Sequence, residues 1–165
     1  MKAAFIMFAY STALLIGGLL AYGMAPEGSK AVTAIIVPVA CAVVMDICAF
    51  LAMQIRTNRR LGMIGIHAGL AFCLLFSIMI GVRAYATTKQ VANYPAALTA
   101  YTEAVKADRT LAEPPKRKAF FKERQAADHD KTYLRNNLWA LSAAGVLAFV
   151  AMLAVRPKPA ERATP

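Results

Sequence analysis

The chain has 165 residues, 59% of them hydrophobic and 17% charged, with a net charge of +10. A soluble globular domain carries roughly a quarter charged residues, so the composition excludes an ordinary water-soluble domain. The positive charge lies outside the apolar blocks and accompanies no nucleic-acid-reading motif; the expected partners are the bilayer and its anionic lipids, not nucleic acid.

Four apolar blocks follow one another, at residues 3–23, 31–55, 61–83 and 137–155. A hydrocarbon core of about 30 Å needs roughly 20 apolar residues at the helical rise. The expected fold is an all-α membrane protein: four transmembrane helices in a bundle, with a long, partly helical loop between helices 3 and 4. The first block, preceded by Lys2, is longer than the apolar region of a secretory signal peptide, and three more blocks follow it, so it reads as a span.

Span one carries small residues at Ala9, Ala13, Gly17 and Ala21. Span two contains Pro38, which predicts a kink because a backbone hydrogen bond is lost one turn back, and a single charge, Asp46. The short connection "QIRTNRRL" makes spans two and three an antiparallel hairpin turning near Asn58. Span three holds Gly65, Gly69, Cys73, Ser77 and Gly81 at every fourth position, and span four Ala140, Ala144 and Ala148. Lipid is as apolar as leucine, so close backbone approach through such stripes, not apolar burial, is what brings helices together.

Span three also carries one ionisable group, His67. In the hairpin Asp46 and His67 lie at matched depth. A charged Asp near mid-bilayer costs about 2.5–3.5 kcal/mol on insertion scales, so the spacing predicts that the two meet. The pair is either a packing clasp or a substrate or proton site. Since His67 stands across the helix from Gly65 and Gly69, span three is expected to give its small face to another neighbour and His67 to span two. Cys41, Cys48 and Cys73 are an odd, intraspan set and form no disulfide framework. Cys41 and Cys73 point about 140° and about 120° away from Asp46 and His67 respectively, so no metal site is expected. No cofactor is expected either, since His129 falls in the loop; a haem on His67 is the weakest of the alternatives.

Residues 87–134 form a polar, basic loop. Asn93 and Pro95 are expected to open an amphipathic helix carrying Tyr94, Leu98, Tyr101 and Val105 on one face. "AEPP" breaks it. No Gly or Pro then intervenes before Trp139, so one helix is expected from about Lys116 through span four. Lys116, Arg117, Lys118, Lys122 and Arg124 around Phe120 and Phe121 resemble an interfacial element. Arg83 and Lys89, at the loop end of span three, are the expected head-group ligands. Residues 156–165 read as a disordered tail. Arg56, Arg59 and Arg60 place the short loop, and with it both termini, on the cytoplasmic side of a plasma (inner) membrane.

Two stretches resemble the transmembrane protein 14 family of small membrane proteins. "IGGLLAYGMAPEGS" is similar through Gly17, Gly18, Ala21, Tyr22, Gly28 and Ser29, with two extra residues before Gly28. "IGVRAYATTKQVANYPAAL" is similar through Gly81, Arg83, Tyr85, Lys89, Pro95 and Ala96. The likeness covers about the first hundred residues. Residues 31–61 lack the family's glycine-rich second helix, and Asp46, His67 and the basic loop are not part of its pattern. The resemblance implies a four-helix membrane protein linked to movement of fatty acids or porphyrin-like molecules. No soluble-enzyme motif is present, so a non-enzymatic role is expected. The first reading is a transporter or permeation protein for a hydrophobic or amphipathic compound. The rival is a non-catalytic accessory or scaffold subunit, either one a homo-oligomer or a member of a larger membrane complex.

Overall fold

The computed structural model describes residues 2–26 and 32–155, with Thr33 as backbone only. All regular structure among these residues is helical: α1 (Lys2–Gly23), α2 (Thr33–Met53), α3 (Arg59–Ala107), α4 (Pro114–Glu123) and α5 (Thr132–Ala154). α1, α2, α3 and α5 are each long and apolar enough to cross a membrane. The predicted tail, 156–165, lies outside the described residues, as do Gly28 and Ser29.

α1 packs on α2 and α5, and α3 packs on the same two helices, so the ring order is α1–α2–α3–α5. Met7, Leu14, Met45, Cys73 and Met152 are buried in its core. Unbranched thioethers fill irregular gaps well, and Gly69 leaves room for the methyls of Met7 and Met152. Phe5, Ile36, Ile47, Ile64, Val82 and Leu147 point outward and are exposed, an apolar shell suited to hydrocarbon rather than water.

The α2–α3 hairpin has the expected register. Asn58 caps α3, its side-chain oxygen accepting from the Leu61 amide at 3.2 Å. A methyl added at Gly65 would meet Ala52 N at 2.5 Å and Cys48 O at 2.7 Å, and one at Gly62 would run into Ile55. Pro38 lies inside α2 with its ring against Gly18. Of the small-residue stripes, that of span three is the buried one through Gly65, Gly69, Cys73 and Ser77. In α1 only Gly17 of the expected stripe is buried; the packed face runs through Ala3, Met7, Tyr10 and Leu14. In α5 it is Leu141, Gly145, Ala148 and Met152, while Ala140 is exposed.

The loop between spans three and four departs from expectation at both ends. α3 does not stop near residue 83; it runs 49 residues to Ala107 with Pro95 inside it. A proline in a helix interior costs about 3 kcal/mol; the packing of Tyr94, Leu98 and Tyr101 around buried Phe121 opposes that cost. Conversely, the helix expected from Lys116 through span four is two helices. Gln125 adopts φ 50°, which ends α4 without a glycine. Asp130 then opens α5, its carboxylate accepting from the Thr132 amide at 2.8 Å and the Thr132 hydroxyl at 2.6 Å. Short polar side chains bond nearby backbone in this way and compete with helix. The "AEPP" break stands: a short 3-10 turn, Arg109–Ala112, precedes α4, which has proline in its first turn.

Candidate functional site

Asp46 and His67 stand level, but on faces that look to different neighbours. α2 meets α3 through Cys48, Ala52 and Ile55. Asp46 is about 160° around the helix from Cys48 and about 40° from both Ala42 and Phe50. Those two face α1: the Ala42 carbonyl accepts from the Ser11 hydroxyl at 3.3 Å, and the Phe50 ring lies 5.3 Å from Phe8. Asp46 is thus half-buried on the α1 flank. On α3 the glycine face itself is the one laid on α2, which turns His67, about 200° from Gly65, away from it. His67 is exposed, with Nδ1 2.7 Å from the Met63 carbonyl one turn earlier. Matched depth therefore did not bring about the expected meeting of the pair. The reason is that the glycines let α2 and α3 approach backbone to backbone, and that contact sets the rotation of both helices.

The polar point of the core lies elsewhere, where α1, α3 and α5 meet. Tyr10, Ser77 and Ser142 are all buried. Ser77 donates to the Cys73 carbonyl at 2.6 Å, and Ser142 donates to the Ser77 carbonyl at 3.0 Å. The first is back-bonding within α3, one turn back; the second crosses from α5 to α3 and ties the two helices together. The Tyr10 hydroxyl has no aligned hydrogen-bond partner among the described residues. It stands with Ser77 Oγ over Gly145, whose missing Cβ is what makes room for both. A tyrosine in span one, a serine on the span-three stripe and a glycine in span four were visible signals; their convergence was not.

A second site forms where the chain leaves the apolar zone. Trp139 donates through Nε1 to Thr88 Oγ1 at 3.1 Å, tying the start of the apolar part of α5 to α3. Beyond that level α3 and α4 close into a headpiece. Tyr101 and Tyr94 pack on Phe121 at 5.3 and 6.1 Å, and Tyr101 on Phe120 at 5.4 Å. The Arg124 guanidinium covers the Phe120 ring at 3.7 Å, and that of Arg117 lies over Tyr101 at 5.7 Å. The α4–α5 connection is pinned to α3 by Ala127 N–H to the Gln90 carbonyl at 3.2 Å and by Asn93 Nδ2 to the Gln125 carbonyl at 3.3 Å.

Between these parts lies a cleft of about 520 Å³ lined by Lys89 and Gln90 of α3, Lys118 and Lys122 of α4, and Gln125, Asp128 and Lys131 of the connection. Asp128 Oδ1 sits 2.9 Å from Lys131 Nζ and 2.8 Å from His129 Nδ1. Burial pushes the Asp128 carboxyl up, but the hydrogen bond and charge of Lys131, with His129, more than offset it and hold it below the usual range. Burial pushes the His129 imidazole down, and the carboxylate beside it does not fully restore it. Of the two expected head-group residues, Lys89 lines the cleft and stacks its ammonium 4.8 Å over Tyr85; Arg83 is exposed and lines no part of it. No cluster of three metal-ligating side chains occurs among the described residues.

Compared with family models, curated proteins and solved structures, the chain matches none.

Proposed function

We propose that the chain is an integral membrane protein of four spans working as a non-catalytic accessory subunit, one that carries a rigid, basic headpiece at a fixed height above the bilayer. The carrying observation is the continuity of α3. At 1.5 Å per residue its 49 residues extend about 74 Å, more than twice a hydrocarbon core of about 30 Å. One end is packed in the apolar ring and the other in the aromatic headpiece, so a load on the headpiece is transmitted to the bundle without a hinge loop. Arg56, Arg59 and Arg60 argue for termini on the cytoplasmic side of a plasma (inner) membrane and the headpiece on the other. The outward apolar faces leave room for partner helices or further copies of the chain.

The transporter reading keeps one specific support, the lysine cleft at the level of Trp139, where an amphipathic anion would enter. Purification in mild detergent separates the two. Large partners recovered in fixed ratio, and lost when Phe120 and Phe121 are both replaced by alanine, support the accessory role. A lone homo-oligomer that moves labelled fatty acid across liposomes overturns it in favour of transport.

A further inference from the structure

We propose that the cleft between α3 and α4 is a binding site for the phosphomonoester head of a membrane lipid. Four lysines drawn from three chain segments face one another across it, against a single carboxylate, Asp128. Lys131 is engaged with that carboxylate. Lys118 and Lys122 make no ion pair among the described residues. They stand four apart on one face of α4, where like charges repel, and Lys89 faces them from α3. This arrangement is unfavourable until an anion enters. Gln90 and Gln125 add neutral amides able to donate to the same anion. A doubly ionised phosphate, with three acceptor oxygens, answers three lysines better than a phosphodiester or a carboxylate does. Lysine, a point charge on a flexible stem, can close on it from three directions.

What lies beneath the cleft points to a lipid as the source of the phosphate. Lys89 is one residue beyond Thr88, the hydrogen-bond partner of Trp139, and tryptophan marks the membrane–water interface. Tyr85, Val82 and Ile78 lie under Lys89, each within about 40° of it around α3, and all three are exposed. They make an apolar track running down from the cleft along which an acyl chain can lie. The inference rests on the membrane-spanning reading above but not on the accessory role.

The full chain in dodecyl maltoside micelles provides the test, with emission of Trp139, the only tryptophan, as reporter. Dihexanoyl phosphatidic acid should give a saturable change, and dihexanoyl phosphatidylcholine none. Joint replacement Lys118→Gln and Lys122→Gln should weaken phosphatidic acid binding about thirtyfold, the loss of two basic contacts at a charged surface. Joint replacement Lys106→Gln and Lys116→Gln, outside the cleft, should leave it unchanged. Unaltered helix content by circular dichroism guards against a folding defect. Inorganic phosphate binding as tightly as the lipid would keep the phosphate chemistry but overturn the lipid source. Phosphatidylcholine binding equally, no saturable response to any ligand, or equal weakening by the Lys106/Lys116 pair would overturn the site. A phosphate response in a chain that needs no detergent would sink the membrane reading while leaving the cleft intact.

Discussion

Gly145 shows how much one missing methyl decides. It lies in α5 opposite the hydroxyls of Tyr10 and Ser77, both of which a Cβ would strike. Overpacking of a filled core costs about 1–3 kcal/mol. Gly145→Ala should lower stability by that amount in detergent unfolding of the whole chain. Gly23→Ala, where a methyl meets nothing within 4 Å, should change it by less than about 0.5 kcal/mol. Equal effects of the two substitutions would show that the three-helix contact is not made. The same residues explain what could and could not be read beforehand. Ser77 belonged to a legible stripe, since its spacing from Gly65, Gly69 and Cys73 is a property of one helix. Tyr10 and Gly145 become partners only when α1 and α5 are set beside α3, and no local pattern carries that information. Asp46 and His67 teach the converse: their depth was computable from the hairpin turn, their azimuth was not.

Among the elements, the two departures in the 87–134 segment have opposite causes. Pro95 is a strong local breaker overruled by packing, because Tyr94, Leu98 and Tyr101 on one side of α3 close against Phe120 and Phe121. Gln125 is no breaker at all, yet the chain turns there, since Phe121 must be buried while Ala127 reaches back to Gln90. The headpiece should respond to acid through the cluster at the cleft rim. Both Asp128 and His129 have folded values below their ordinary ones. The unfolded chain therefore takes up protons first as pH falls. His129 contributes stability that is full above about 6.5 and is lost as pH drops below it; Asp128 does the same from about 3.9 downward. Amide exchange at Ala127, corrected for intrinsic rate, should accelerate as pH falls below about 6.5. The acceleration should flatten in His129→Gln. An unchanged profile in that variant would assign the loosening to other groups.

At the scale of the whole molecule, the apolar shell is the feature with the largest consequence. An exposed surface of Phe5, Ile36, Ile47, Ile64 and Leu147 around a ring of four helices far exceeds the apolar patches that soluble monomers tolerate. The chain should stay with the membrane fraction through an alkaline carbonate wash and leave it only with detergent. Release by the wash alone would place that shell against protein instead of lipid. Basic residues lie at both ends of the ring, Lys2 with Arg56, Arg59 and Arg60 at one and the lysine cleft at the other, so both ends are suited to anionic head groups, about 1 kcal/mol per basic residue at the surface.

The number, order and apolar length of the four long helices, and the register of the α2–α3 hairpin, followed from the amino-acid sequence by itself. Hydrophobic length is a sum over consecutive residues, and a short turn leaves a hairpin little freedom to slide. Which face each helix buries, where the polar node forms, how far α3 continues and where the lysines converge were decided only by the tertiary structure. Those are properties of pairs of surfaces: a glycine, a proline or a lysine takes its role from what the neighbouring helix puts opposite it.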